Sequence, residues 1–278
     1  MCDFPTQAIL LRRTSYGDYD LIVTLLTLSG GKRTVIAKNA KKSRKRFAGV
    51  LEPFSLLQVS CTGPRGGGMA VLQEASLENP CAGIRGDIMK TAYASYWAEM
   101  IHAWMEEGKE QPRIYYLLRD FLQFLESGAT ANEALSIIFH LRFLSFSGLA
   151  PNLSRCGGCH AAMDQMPGSR FFFELAKGGI LCEGCSANTP SRISLSRGTI
   201  KQLLWIQSND WRTSGKLKLN QAALYEGLRS LEKFVAFHLG KEPKSLKFLQ
   251  DLRNSARLEA QRQQHLGNIE NDGSTSDH

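Results

Sequence analysis

The sequence predicts an α+β protein in which a small β-barrel is followed by a helical domain that carries a four-cysteine knuckle. Short β-prone segments fill the first part of the chain, helical patterns follow, and two Cys-x-x-Cys pairs interrupt the helical part. We place the barrel in residues 1–80 and the helical domain in residues 81–258, with the cysteine insertion at 156–185. The polar residues 259–278 are expected to form a disordered tail.

Five segments rich in Val, Ile, Leu and Thr make up the predicted barrel. They read QAILLRR, DLIVTLLTL, KRTVIAK, PFSLLQVS and MAVLQEASL, and turn residues, many of them glycine, separate them. Five short strands within about 70 residues suit a closed barrel, which leaves no free sheet edge. In the last segment, alternation places Met69, Val71, Ala75 and Leu77 on one face.

Helical patterns begin after Pro80. One predicted helix begins with the capping-box pattern of Thr130 and Glu133 and ends before Gly148. Its body, LSIIFHLRFLSF, is apolar nearly all round, so we expect it at the centre of the helical core. The other predicted helices span residues 85–107, 112–127, 196–208, 220–239 and 244–258.

Composition and charge narrow the class of partner. The chain carries 34 Lys and Arg against 26 Asp and Glu, a net charge of +8, and residues 1–80 hold 11 of these cations against 6 acids. Such a bias attracts polyanions, of which nucleic acid is the commonest. No stretch approaches the ~20 apolar residues of a membrane span. The N-terminus lacks the layout of an export signal, so a cytoplasmic protein is expected.

Four cysteines stand in two Cys-x-x-Cys pairs, Cys156 with Cys159 and Cys182 with Cys185, and 22 residues separate the pairs. Two such pairs supply four thiolates, the tetrahedral soft-ligand set that zinc prefers. Because four thiolates leave no open position for water, the predicted zinc is structural and not catalytic.

Three alternatives to an occupied zinc site remain at this point. Cys156 to His160 also spells the c-type haem attachment signature, although such attachment requires export. A redox dithiol is a second alternative, and a cysteine cluster that has lost its metal is a third. His160 could also compete as a ligand.

A run of basic residues follows the third predicted strand. Residues 32–46 hold eight cations and no acid, and such a cluster beside a barrel neutralises phosphates without reading sequence. Phe47 and Phe54 flank it, and an aromatic ring there could stack on a base. The alternative is a solvated loop with both phenylalanines in the core.

Several segments in order resemble the RecO family of DNA-repair proteins. AILLRRTSYGDYDLIVTLLTLSGGKRTVIAKNAKKS resembles that family's first barrel strands and basic loop, and RFAGVLEPFSLLQV the segment that follows. GGILCEGC resembles its second cysteine knuckle, and LGKEPKSLKFLQDL its closing helix. Asn39 stands where the family commonly has glycine, and asparagine can still form this turn because it tolerates a positive φ. Asp18 replaces a common glutamate and keeps its charge.

The resemblance implies an OB-fold barrel and a nucleoid-associated recombination mediator without catalytic turnover. Members bind single- and double-stranded DNA, anneal complementary strands, and work with RecR and the tail of single-stranded-DNA-binding protein, helping RecA replace that protein. It implies one structural zinc on Cys156, Cys159, Cys182 and Cys185, and DNA contacts by Lys38, Lys41, Lys42, Arg44 and Arg46. No motif marks the partner-binding pocket.

Two other functions compete with this interpretation. The first is a zinc-containing nucleic-acid-processing enzyme. The sequence lacks a P-loop, an HExxH motif, an HxE preceding a CxxC and a dense acidic cluster for magnesium. The second is a protein adaptor whose basic loop docks on acidic partners.

Overall fold

The computed structural model describes residues 5–63, 68–187, 189, 193–211 and 218–273, with side-chain surroundings up to residue 263. A closed five-stranded barrel forms its N-terminal part, with strand order β1-β2-β3-β5-β4. The predicted barrel is therefore confirmed. Its strands are β1 (Thr6–Tyr16), β2 (Asp20–Thr27), β3 (Gly31–Ala37), β4 (Leu56–Thr62) and β5 (Ala70–Asn79).

The predicted apolar face of β5 is wrong, because a bulge interrupts its alternation. The pairing of β4 with β5 shifts register between Ser60 and Cys61, so Leu72 enters the barrel core while Ala75, beyond the shift, packs against that core. Met69 and Leu77 are instead exposed. A bulge adds one residue to a strand. Residues that regular alternation would place on one face therefore lie on opposite faces when the bulge stands between them.

Seven helices follow in the described part of the chain. They are α1 (Ala82–Arg85), α2 (Ile88–Trp104), α3 (Pro112–Ser127), α4 (Asn132–Phe146), α5 (Arg197–Ser208), α6 (Gln221–Leu239) and α7 (Lys244–Gly273). Within the described residues, none of these helices combines the length and the apolar character that a membrane crossing requires.

Several helix boundaries differ from the sequence prediction. The segment predicted from residue 85 onward starts as a separate short helix, because the Asp87 side chain accepts from the N–H groups of Met89 and Lys90 and begins α2. Helix α4 begins after Ala131, one residue beyond the Thr130 with which the capping-box pattern starts it. Helix α7 runs on to Gly273, beyond the end predicted near Leu258.

Helix α4 lies at the centre of the helical core, as its all-round apolar sequence predicts. Ten of its residues are buried. The Trp97 ring of α2 stacks on Phe139 at a centroid distance of 4.6 Å, and Phe121 of α3 meets Phe139 edge to face at 5.3 Å. These large rings dominate the buried area that holds the three helices together.

The segment between α4 and α5 contains a small sheet that was not predicted from the sequence. Its strands are β6 (Arg170–Glu174), β7 (Gly179–Leu181) and β8 (Ile193–Ser196), in the order β7-β6-β8. Phe171 and Phe173 of β6 are buried, and Phe173 packs edge to face on Phe234 of α6. The sheet therefore rests on the helical core.

One side of the barrel packs into the hydrophobic core of the helices, while the barrel interior forms a separate core. Ile9, Leu11, Leu26, Phe54 and Leu56 of the barrel belong to the same buried cluster as α2, α3 and α4. The loop after α2 also pairs with β3, since the Gly108 N–H donates to the Lys32 carbonyl at 2.9 Å and the Thr34 N–H to the Glu107 carboxylate at 2.8 Å.

Candidate nucleic-acid interface and metal centre

The basic loop leaves β3 at one end of the barrel and has a defined backbone path. Asn39 adopts the left-handed conformation, with φ 58°, and its N–H donates to the Asp20 carboxylate at 2.7 Å. The Ser43 hydroxyl accepts from the N–H groups of Arg46 and Phe47 at 3.1 and 3.0 Å. Asparagine and serine are suited to such turns because their short side chains bond to nearby backbone.

All five cations predicted to contact DNA lie on this loop and are exposed: Lys38, Lys41, Lys42, Arg44 and Arg46. Lys41 Nζ donates to the Gly17 carbonyl at 2.8 Å, and Lys42 Nζ lies 3.5 Å above the ring of Tyr19. Arg46 donates to the Lys38 carbonyl at 3.0 Å. The structure thus gathers these cations at the barrel end that carries the β1–β2 turn, where they form one positive surface.

The two phenylalanines that flank the basic loop are both in the core, so neither offers a ring to a base. Phe47 is 4% exposed and belongs to the barrel core, and Phe54 is 5% exposed and belongs to the core shared with the helices. The exposed aromatic rings near the loop are Tyr16 at 54% and Tyr19 at 43%. Both lie in the Tyr-Gly-Asp-Tyr turn between β1 and β2, next to the basic loop.

The four predicted metal ligands converge on one point. The sulfur atoms of Cys156, Cys159, Cys182 and Cys185 all lie within 4.8 Å of one another, and the Cys159 and Cys182 sulfurs are 3.9 Å apart. Four sulfurs at about 2.3 Å from one zinc would be roughly 3.8 Å apart, so the spacing fits a tetrahedral site. His160 is outside this cluster, and its N–H bonds to the Cys156 carbonyl at 3.0 Å.

Backbone geometry in the knuckle prepares the first cysteine for a cation. Burial raises the pKa of Cys156, but N–H groups of Cys182, Cys159 and Gly158 directed at its sulfur outweigh this and lower the pKa to about 6. Contacts from Cys182 and Cys156 raise the pKa of Cys185 to about 12, because four neighbouring sulfurs cannot all be thiolates without a cation. Four thiolates are therefore consistent with these positions only when a metal ion neutralises them.

Gly158 lets the two knuckles approach each other. A Cβ at this position would lie 2.8 Å from both Cβ and Sγ of Cys185. The second knuckle does not share this requirement, since a Cβ at Gly184 would meet nothing within 4 Å. The knuckle containing Gly158 is thus shaped by close contact with the other pair.

A cavity lies between the barrel, α2 and the start of α7. It has a volume of about 910 Å³, and its lining includes Glu99 and His102. The Glu99 carboxylate accepts from the N–H groups of Lys244 and Ser245 at 3.1 and 2.8 Å, and so caps α7. Burial raises the pKa of Glu99, but the bonds from Ser245 and Lys244 outweigh it and lower the pKa. This carboxylate is engaged in structure.

Two family models match the chain. The model described as recombination protein O N terminal covers residues 1–81, and the model described as recombination protein O C terminal covers residues 85–247. The basic loop lies within the first match and the cysteine cluster within the second.

Curated relatives resemble the chain over almost its whole length. It is 43% identical over 259 residues to the DNA repair protein RecO of Desulfosudis oleivorans, covering 91% of this chain and 100% of that protein. It is 45% identical to the DNA repair protein RecO of Desulfatibacillum aliphaticivorans, covering 89% and 96%. The protein of that name from Bacillus pumilus is 30% identical over 256 residues, covering 91% and 96%.

Proposed function

Because this chain belongs to the RecO family of DNA repair proteins, we propose that it is a DNA-binding recombination mediator without catalytic turnover. The observation that carries the proposal is the cluster of exposed cations at one end of a closed OB-type barrel. We assign DNA binding to residues 1–80 and the metal site to the insertion within residues 81–258. It would act in the cytoplasm, at the nucleoid.

The basic loop binds DNA through phosphates in this proposal. Lys38, Lys41, Lys42, Arg44 and Arg46 neutralise phosphates and release counterions, which makes the affinity strong at low salt and independent of sequence. Single and double strands both present phosphates, so both bind. Annealing follows from the same charge, because neutralised strands repel one another less and meet more often.

The partners in this proposal are RecR and the tail of single-stranded-DNA-binding protein. A mediator that binds both DNA and the protein coating it can hold a coated strand while RecA replaces the coat. The support for these partners is membership of the family, and we assign no surface of this chain to them.

The cysteine cluster binds one structural Zn²⁺ in the same proposal. Cys156, Cys159, Cys182 and Cys185 would be its ligands, and zinc would supply the positive charge that allows all four sulfurs to be thiolates. Its role is to fix the two knuckles beside the small sheet. The soft sulfur ligand set and the 4.8 Å limit on sulfur separations support zinc.

The proposal is tested with a strand-annealing assay on fluorescent complementary oligonucleotides, naked and coated with single-stranded-DNA-binding protein. We expect faster annealing in both cases and recovery of both strands chemically intact. Cleaved or modified strands would instead indicate a nucleic-acid-processing enzyme. A chain that fails to bind DNA but binds an acidic protein at the same salt concentration would indicate a protein adaptor.

A further inference from the structure

The cavity between the barrel, α2 and the start of α7 combines polar and apolar walls. Polar residues of α2 form a stripe along it: Thr91, Ser95, Glu99 and His102. Residues three or four positions apart share one face of a helix, so the whole stripe is directed at the cavity. Pro53 and Leu239 contribute apolar surface and are half-buried. Its volume of about 910 Å³ lies within the range of ligand pockets, about 300–1,000 Å³.

Three cations of the lining have no carboxylate partner. Arg12 of β1, Lys241 after α6 and Lys244 of α7 are exposed at the cavity. Among the described residues, none of the three forms an ion pair. They come from three separate elements, and the fold brings them to one cavity.

The acids of the lining are already engaged. Glu52 Oε1 pairs with Arg13 Nη1 at 2.6 Å. Glu99 caps α7 by accepting from the N–H groups of Lys244 and Ser245. In all, the lining contains five Lys and Arg against two Glu, so the cavity carries an excess of positive charge.

His102 lies in this positive field. Its Nδ1 is buried and has no hydrogen-bond partner among the described residues. Burial lowers the pKa of His102, and Lys32, Arg12 and Lys241 lower it further, against the opposite effect of Glu99. A buried nitrogen without a partner is costly, and a ligand that supplies one removes that cost.

We propose that this cavity binds a phosphate monoester carried on a nucleoside, with the phosphate at Arg12, Lys241 and Lys244 and the base against Pro53 and Leu239. A phosphate monoester carries a charge of about −1.5 to −2 near pH 7, which suits several cations better than the single charge of a phosphodiester. The hydroxyl and imidazole groups of the α2 stripe are suited to the hydroxyls of the sugar.

Such a phosphate occurs on a free nucleotide and at a phosphorylated end of a DNA strand. The strand-end source rests on the proposed DNA-binding function, whereas the free nucleotide does not. In the described part of the chain, the lining includes no residue of the basic loop, 38–46. A nucleotide in the cavity therefore leaves the cations of that loop available to DNA.

Calorimetric titration of the full chain with deoxythymidine monophosphate (dTMP) and with thymidine tests the free nucleotide. Thymidine lacks the phosphate and should bind at least about 10-fold more weakly, because hydrogen bonds to a charged group are lost. A triple variant with glutamine at Arg12, Lys241 and Lys244 should weaken dTMP binding by about 10-fold or more for the same reason.

The matched control carries glutamine at Lys177, Lys201 and Lys247, which are exposed and do not line the cavity. It removes the same charge and should bind dTMP like the original chain. The melting temperatures of both variants should hardly change, because exposed charges contribute little to folding. An equal loss of dTMP binding in the control would overturn the inference.

Oligothymidine with and without a terminal phosphate tests the strand end. A preference for the phosphorylated strand that dTMP competes away, and that the triple variant lacks, assigns the site to strand ends. Binding of dTMP without such a preference assigns it to free nucleotides. Absence of both would overturn the inference while the unphosphorylated strand still binds. Loss of all binding to that strand, with dTMP binding retained, would instead refute the proposed DNA-binding function alone.

Discussion

Removing four cations from the basic loop should flatten the salt dependence of DNA binding. The change is alanine at Lys41, Lys42, Arg44 and Arg46, all of which are exposed. Each phosphate contact on a single strand contributes about 0.7 to the slope of log affinity against log salt, so four contacts contribute roughly 3. Between about 50 and 200 mM salt, a slope difference of 3 corresponds to a roughly 60-fold smaller loss of affinity in the variant.

The contacts within the loop rank the single variants. Lys41 Nζ is bonded to the Gly17 carbonyl and Lys42 Nζ lies over the Tyr19 ring, so each must weaken an internal contact to reach a phosphate. The side chain of Arg44 is exposed on the same loop. We therefore expect Arg44→Ala to change the slope more than Lys41→Ala or Lys42→Ala.

Fluorescence anisotropy with two oligonucleotides of unrelated sequence, titrated across a salt series, measures these slopes. A control with alanine at Lys201, Lys218, Lys233 and Lys247 removes the same charge from exposed positions of the helical part. The melting temperature of the loop variant should hardly change, because exposed charges contribute little to folding. An unaltered slope, or an equal change in the control, would refute phosphate binding by the loop and direct attention to the cations of the helices.

Three further outcomes are expected. Purified, tag-free protein should contain one zinc per chain, and Cys182→Ser should lose it and destabilise the adjoining sheet; four free thiols without metal would contradict this. Annealing should proceed equally with and without ATP, because Gly66-Gly67-Gly68 is followed by Met and Ala and not by the Lys-Ser or Lys-Thr of a P-loop. Burial lowers the pKa of His140 to about 4, although its hydrogen bond to the Ser136 carbonyl acts in the opposite direction and raises the pKa. An unfolded histidine has a pKa of about 6.5, so protonation favours unfolding, and the free energy of unfolding should fall by roughly 3 kcal/mol from pH 6.5 to pH 4. Denaturant titrations of His140→Gln should show a weaker decline over that range, and an identical decline would exclude this histidine as its source.

The barrel and the central helix could be predicted because their signals are local. Alternating apolar residues bounded by glycine turns mark each strand, and the apolar body of α4 indicates full burial. The faces of β5 could not be predicted, because the bulge opposite Ser60 depends on pairing with β4. The strands β6 and β7 are short, and only contact with Phe234 and the helical core makes them a sheet.

The candidate site shows the same division between local and long-range information. Its cations are contiguous in sequence, and the two Cys-x-x-Cys pairs specify four sulfurs by type and spacing. For Phe47 and Phe54 the sequence left base stacking and burial both open, and the structure buries them in two different cores. Tyr16 is exposed because β1 extends beyond the buried part of the barrel, and the pairing of β1 with β2 and of β2 with β3 brings it beside Ile22 and Ile36.

The core shared by the barrel and the helices means that the barrel is not a detachable module. Chain cleavage after residue 80 would bring Ile9, Leu11, Leu26, Phe54 and Leu56 into water. Burial of each such side chain contributes about 1.5–3 kcal/mol, and their sum is comparable to the whole net stability of a domain, about 5–15 kcal/mol. An excised barrel would keep its own interior core but lose the stabilisation from this shared face, and it should therefore unfold at a lower denaturant concentration than the full chain.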